Sequence, residues 1–270
     1  MKKFVSLLLR NLHLLNFANK IHFIVSKLKF SRKNKEFIKS NQKFIPPPKD
    51  LVFETFGKVD YERYYLTGIK SANNIIRLIE EYKTISNQEL NILEWGCGTG
   101  RVLHNISLIT NNADIQLYGC DLNKNAIKWC ERTFSKINFS INDIEPPLNF
   151  KDAYFDIIYC ASVFTHLSEK YQYLWMNEIF RILKEDGIFL FTVNGEHYAK
   201  QKLTDKEFKL FNQGEIIART KVTEGNKLLS VYEGEKFVRN NLLKDRKILD
   251  HIFDPNLEIS GSQDIWIVQK

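Results

Sequence analysis

The 270-residue chain is predicted to fold as an α/β protein built on a mostly parallel sheet with helices on both faces. Between residues 91 and 193, short apolar runs alternate five times with helix-patterned segments, the signature of a covered parallel sheet. The first run passes through an acid into three glycines spaced two apart. The next two runs also reach carboxylates, so Glu94, Asp121 and Asp143 fall at the strand ends where open α/β sheets bind ligands.

The first element is Asn91-Ile-Leu-Glu-Trp-Gly-Cys-Gly-Thr-Gly100, followed by Arg101-Val-Leu-His-Asn-Ile-Ser-Leu-Ile with apolar residues at helical spacing. A buried strand turning at once into a helix beside a bound nucleoside needs unusual backbone angles and close approach, which glycine permits. The dinucleotide fingerprint of NAD(P)-dependent oxidoreductases would put its third glycine where Arg101 stands. Glu94 would also repel a diphosphate, whereas it would attract an ammonium or a sulfonium. Glu94-Trp-Gly-Cys-Gly-Thr-Gly100 resembles the first motif, E/D-x-G-x-G-x-G, of the class I S-adenosylmethionine-dependent methyltransferases. The resemblance covers about residues 50–270 and is strongest over 91–193. It implies S-adenosylmethionine as cofactor, with Glu94, Gly96, Cys97, Gly98 and Gly100 around it.

The second run, Ile115-Gln-Leu-Tyr-Gly-Cys-Asp121, leads into a helix over 123–134. Its terminal Asp121 is placed to accept hydrogen bonds from both ribose hydroxyls, as the matching family residue does; an N-cap is the structural alternative. The third run, 137–141, precedes Asp143 and Ile144. The resemblance assigns Asp143 to the adenine amino group, with Leu122, Ile144 and more weakly Trp95 as walls for the purine.

A fourth run, 155–160, opens the loop Ala161-Ser-Val-Phe-Thr-His166, where the family faces its substrate, and Phe164 and His166 are candidates there. A long helical pattern over 168–183 ends at Lys184-Glu-Asp-Gly187, with glycine at the expected stop. The fifth run is 188–193. Arg181 to Leu190 resembles the family's R-x-L-K-P-G-G-x-L element, with Glu185 and Asp186 in place of Pro and Gly. Residues 257–260 and 264–268 look like closing strands, completing a Rossmann-like seven-stranded sheet with the family's antiparallel edge hairpin. The ending Gly261-Ser-Gln-Asp-Ile-Trp resembles a bacterial subgroup of these methyltransferases linked to polysaccharide assembly.

Two regions are expected to shape the acceptor site. Residues 52–68 are rich in aromatics, and Tyr61, Tyr64 and Tyr65 are candidates to touch the methionine carboxylate or the acceptor; a helix is expected only from residue 69 to 82. Residues 195–234 follow Asn194 as a long stretch without strong pattern, read as a lid or substrate insert. Methyl transfer to a small-molecule or glycan/glycolipid hydroxyl would need a base near neutrality, for which His166 and His197 are placed. No metal-ligand spacing appears. A module that binds the cofactor without catalysis is the other alternative.

The net charge of +7 is uneven: residues 1–50 carry +10 and the remainder −3. Residues 1–30 combine Phe4, Val5, Leu8, Leu9, Leu12 and Leu15 with Arg10, Lys20, Lys27 and Lys29. Charges recur too often for a membrane span, and no small-residue cleavage site follows. A basic amphipathic helix is expected, packing its apolar face on the domain or a second copy, or resting on an anionic membrane surface. Lys27 to Lys43 is read as a solvated linker rather than a nucleic-acid contact, and Pro46-Pro47-Pro48 marks a boundary. The organisation expected is therefore an extension at 1–50 and the methyltransferase domain at 51–270. Four cysteines without a paired spacing point to a reducing cytoplasm.

Overall fold

The computed structural model describes residues 14–83, 85, 89–110, 114–219, 222–257 and 259–270. Phe4, Val5, Leu8, Leu9, Arg10 and Leu12 of the N-terminal pattern lie outside them. Among the described residues four helices precede the sheet: α1 (Leu15–Lys29), α2 (Ser31–Ser40), α3 (Lys49–Phe56) and α4 (Tyr61–Glu80). Then come β1 (Leu90–Trp95), α5 (Arg101–Thr110), β2 (Ile115–Asp121), α6 (Lys124–Thr133), β3 (Asn138–Ile141), β4 (Phe155–Cys160), α7 (Glu169–Ile182) and β5 (Leu183–Val193). Helices α8 (Glu196–Lys202) and α9 (Asp205–Gln213) and strands β6 (Ile217–Arg219) and β7 (Ser230–Tyr232) follow. After a helical turn at Glu235–Phe237, continued as a single π turn, β8 (Lys247–Ile252) and β9 (Asp264–Gln269) close the chain.

The sheet runs β3-β2-β1-β4-β5-β9-β8, parallel through β5 and antiparallel for the last two pairs. The strand order reverses between β1 and β4, which opens a crevice beyond their carboxyl ends. Alternate residues of each strand feed opposite cores. One face gathers Leu93, Trp95, Phe164, Trp175, Phe189, Phe191 and Trp266. The other is mainly aliphatic, with Ile75, Ile92, Leu103, Ile157, Leu190 and Ile267. Glu94 shares the second face with Ile92, which is why it is buried. All four cysteines are free and buried.

Several boundaries differ from those expected. Helix α4 begins at Tyr61, capped by Asp60, whose side chain accepts from the Arg63 amide; the aromatic segment is thus already helical. Residues 31–40, read as solvated linker, form α2, which buries Asn34 in bonds to Val59 O and the Tyr61 amide and sets Phe37 against Tyr65. Helix α7 stops at Ile182, and the left-handed residue after it is Asp186 at φ 59°, the position glycine holds in the related element, rather than Gly187. Of residues 257–260, the described Leu257, Ile259 and Ser260 do not pair as a strand. The partner of β9 is β8, whose side chains are only half-buried, so its pattern is weak. Leu257 and Ile259 are apolar because they pack beside α4, where Ser71 Oγ donates to Ile259 O at 3.2 Å.

The stretch 195–234 is more ordered than its sequence suggested. A capping box at Thr204 and Glu207 starts α9, and Gly214 at φ 98° ends it. Ala199, Leu203, Phe211, Ile217 and Tyr232 form a small core of their own.

Candidate active site

The glycine loop joins β1 to α5. Gly96, Gly98 and Gly100 all have positive φ, at 75°, 54° and 64°, where side chains carry a penalty. At Gly96 there is no room either: a Cβ would sit 2.4 Å from Val163 Cγ2. The Gly98 amide donates to Asp121 Oδ2 at 2.7 Å, and the Asn123 amide donates to Oδ1 at 2.7 Å. Asp121 therefore ties the loop to the end of β2, and each oxygen keeps lone-pair capacity for a further donor. Thr99 bonds the buried Tyr64 hydroxyl at 2.5 Å, fastening the loop to α4.

Two large cavities flank this loop, besides a third of about 50 Å³ at Thr99 and Gly100. The first, about 410 Å³, is lined by Trp95, Gly96, Asp121, Leu122, Asn142, Asp143, Ile144 and His166, with Glu54 and Thr55 of the α3 end opposite. Asn142 Oδ1 is buried without a hydrogen-bond partner among the described residues. Such an orphan acceptor is costly unless a ligand donor meets it. Residues 222–229 roof this cavity: a Cβ on Gly225 would stand 2.6 Å from Leu122 and 3.0 Å from Ile144. The Gly225 amide donates to His166 O at 2.9 Å, and the Ser168 amide donates to Glu224 Oε2 at 2.9 Å. Lys227 donates to Phe53 O at 3.1 Å and lies 4.0 Å over the Phe53 ring.

The second cavity, about 490 Å³, holds Glu94, Cys97, Arg101, Arg63, Thr67, Tyr198 and the loop from Ile259 to Gln263. It shares Thr55, Gly96, Ala161 and Ser162 with the first. Ser162 has φ 62°, unfavourable for a side-chain-bearing residue. It is held by its amide to Thr192 Oγ1 at 2.8 Å and by its hydroxyl to Gln263 Oε1 at 3.0 Å and to Ser260.

Burial raises the Glu94 carboxyl to about 8, moderated by Tyr159 and Arg101 nearby and by the Leu103 amide, which donates to Oε2 at 3.1 Å. Burial also raises Asp121. His166 lies half-buried; its Nδ1 is 2.7 Å from Leu229 O, so Nδ1 carries the proton and Nε2 is left with a lone pair. Desolvation lowers its pKa, keeping the ring neutral.

The expected residues divide sharply. Glu94, Gly96, Cys97, Asp121, Leu122, Asp143, Ile144 and His166 all line one of the two cavities. Phe164 does not: it is fully buried at 5.6 Å from Trp95 and 5.0 Å from Phe191, a core residue. Tyr61 is buried with its hydroxyl on Pro47 O at 2.7 Å, and Tyr65 packs on Phe37 and Phe44. Asn194 braces the insert, donating to Val231 O and accepting from Gln263. His197 lines neither cavity; it stacks on Phe253 and contacts Gln201. Sequence reasoning did not single out Arg63 or Lys227, which reach the cavities from elements far apart in the chain.

Residues 93–191 match the family profile described as a methyltransferase domain. The Malonyl-[acyl-carrier protein] O-methyltransferase of Bacillus cereus is 30% identical over 145 residues, 54% of this chain and 52% of that protein. The protein of the same name from Bacillus anthracis is 28% identical over 138 residues, 51% of this chain and 49% of its own length. The chain thus spans about half the length of the curated relatives it matches. Among solved structures, an S-adenosylmethionine-dependent methyltransferase from Clostridium acetobutylicum aligns with TM-score 0.53, 17% identity, and 81% and 96% coverage of the two chains. One from Mesorhizobium loti gives 0.54, 13%, and 73% and 98%. The oxidoreductase alternative for the glycine loop is overturned by these matches together with Glu94 and Arg101. Residues 93–191 are thus a methyltransferase domain, in the fold of the class I enzymes whose cofactor is S-adenosylmethionine.

Proposed function

We propose that this chain transfers a methyl group from S-adenosylmethionine to a hydroxyl of a small molecule, glycan or glycolipid precursor. The observation carrying this reading is the shared wall of the two cavities. Thr55, Gly96, Ala161 and Ser162 border both, so a cofactor and an acceptor can meet at the ends of β1 and β4. When bound, the cofactor supplies a methyl carbon activated by a sulfonium leaving group.

Asp121 would hold the ribose hydroxyls, and Leu122, Ile144 and the orphaned Asn142 would frame the adenine beside Asp143. Glu94 would receive the ammonium and Arg101 the carboxylate of the methionine end, since both line the second cavity. The roof at 222–229 excludes water and fixes alignment, which is most of the catalysis this reaction needs. His166, neutral with a free Nε2, would take the hydroxyl proton. In this reading residues 51–270 are the catalytic domain, 195–234 its lid, and the free cysteines belong to a reducing cytoplasm.

Arg63, exposed at the rim of the second cavity, favours one second reading. It could pair with a carboxylate, which is already ionised and needs no base, and the relatives named above are malonyl-[acyl-carrier protein] O-methyltransferases. Labelled-methyl transfer to panels of glycans, hydroxylated metabolites and carboxylated acyl thioesters separates the two. Hydroxyl methylation that falls about 10²-fold or more in His166→Ala supports the first. Carboxyl methylation that survives that change but falls in Arg63→Ala supports the second. Tight cofactor binding with no transfer across all panels would leave a non-catalytic binding module.

A further inference from the structure

Helix α1 is built the wrong way round for a globular protein. Phe17, Ile21, Ile24, Val25 and Leu28 recur at helical spacing and fall within an arc of about 100°. That stripe points outward, with Phe17 63% and Leu28 71% exposed. The inward side is polar or small: Ser26 accepts from the Val59 amide at 2.8 Å. Phe23 and His22 also anchor the helix to the domain, ring to ring on Phe53 at 5.1 and 5.3 Å. The apolar pattern expected at Phe4 to Leu12 lies outside the described residues, and the stripe at 17–28 does not pack on the domain.

We propose that α1 docks this protein on an anionic lipid surface. Exposed lysines border the stripe on both edges, Lys20 and Lys27 on one and Lys29 on the other. An apolar face bordered by lysines is the pattern of a helix lying in the plane of a bilayer interface. Charge favours this occupant. Residues 1–50 carry +10 while the rest of the chain carries −3, and each lysine near an anionic surface adds roughly five-fold in affinity. A second copy fits less well, because a two-fold contact through the stripe would bring the lysine borders of both copies together. Among the described residues no helix is long and apolar enough to cross a membrane, so α1 lies on the surface. The dock joins the site through Phe53, which carries α1 on one side and Lys227 of the cavity roof on another, next to Glu54 and Thr55 of the cavity wall. The docking itself does not depend on the methyl-transfer reading.

The test is vesicle flotation of the full chain, with phosphatidylcholine vesicles containing or lacking phosphatidylglycerol. The wild-type chain is expected to float only with anionic vesicles and to be released by salt. Combining Ile21→Asn, Ile24→Asn and Leu28→Asn is expected to weaken binding by about ten-fold or more, leaving S-adenosylhomocysteine affinity by calorimetry unchanged. In a separate Leu28→Trp variant, the emission should shift to the blue on adding anionic vesicles. The proposal is overturned if the wild-type chain ignores anionic vesicles, or if the triple variant binds them equally well. It is also overturned if the wild type is instead a dimer that the triple variant turns monomeric. Loss of cofactor binding would count against the cofactor reading alone.

Discussion

The two cavities differ in how their walls are made. The first has as one wall the ends of β1, β2 and β3 and the turns beyond them, where Gly96, Asp121 and Asp143 stand at consecutive points along one sheet edge. The second collects Arg63 from α4, Tyr198 from α8 and Ser260 to Gln263 from the loop before β9. One is fixed by local backbone geometry and the other by the packing of distant segments. The adenosyl part of a cofactor common to many enzymes suits the first construction, and the second leaves room beside the methionine end for what is peculiar to one enzyme.

The sharpest way to break this contrast is a matched pair of glycines. Gly96→Ala should abolish measurable cofactor binding, a loss of about 100-fold or more, because the methyl would stand 2.4 Å from Val163 at φ 75°. Gly261→Ala also meets positive φ, but its nearest neighbour is the Tyr198 hydroxyl at the end of a side chain. Calorimetry should show near wild-type cofactor affinity for it, with the change appearing in acceptor KM. Equal losses in both variants would erase the distinction.

Glu94 gives the next largest effect. Protonated below about 8, it must ionise to hold the cofactor's ammonium, so binding near pH 7 should release a proton and tighten as pH rises. Calorimetry in buffers of different ionisation heat reads that proton. Glu94→Gln should lose it and weaken binding by roughly ten- to hundred-fold.

Stability should show the opposite pH slope. Glu94 and Glu233 are both buried and raised from 4.5 to about 8. The folded state therefore holds more protons than the unfolded state between those values. The contribution of these two carboxyls to stability is fully present below 4.5 and is lost as pH climbs towards 8. Thermal melts from pH 5 to 9 should show the decline, with a shallower slope in Glu94→Gln. A rising slope would overturn the burial argument.

The smallest effect concerns the roof. Lys227→Ala removes the donor to Phe53 O and a partly exposed ion pair with Glu54. It should speed S-adenosylhomocysteine release several-fold in stopped-flow displacement, a change of about 1 kcal/mol. No change would mean that the roof moves independently of α3.

These differences also explain what could be read beforehand. Glu94 to Gly100 was legible because the need for glycine is local, and Asp121 because it ends its strand. Phe164 and Tyr61 were misplaced because an aromatic residue in a loop or early helix does not reveal which way it faces. The amphipathic helix was legible only as a pattern over residues 1–30, and the direction of its stripe at 17–28 depends on what Ser26 and Phe23 meet across the chain. Strand β8 was hidden because an edge strand half-buried along its length loses the alternation that marks a strand.

The four cysteines make the cofactor end of the sheet self-reporting. Cys97, Cys120, Cys130 and Cys160 are all buried, and burial raises every one of their thiols, so the reactive thiolate is scarce in the native state. Labelling by a thiol reagent then requires the fold to open, and its rate gauges that opening without an added probe. Cofactor bound across the same strand ends should slow the labelling in proportion to its occupancy. The native chain thus carries a built-in clock for local opening at the end of the sheet where the proposed chemistry takes place.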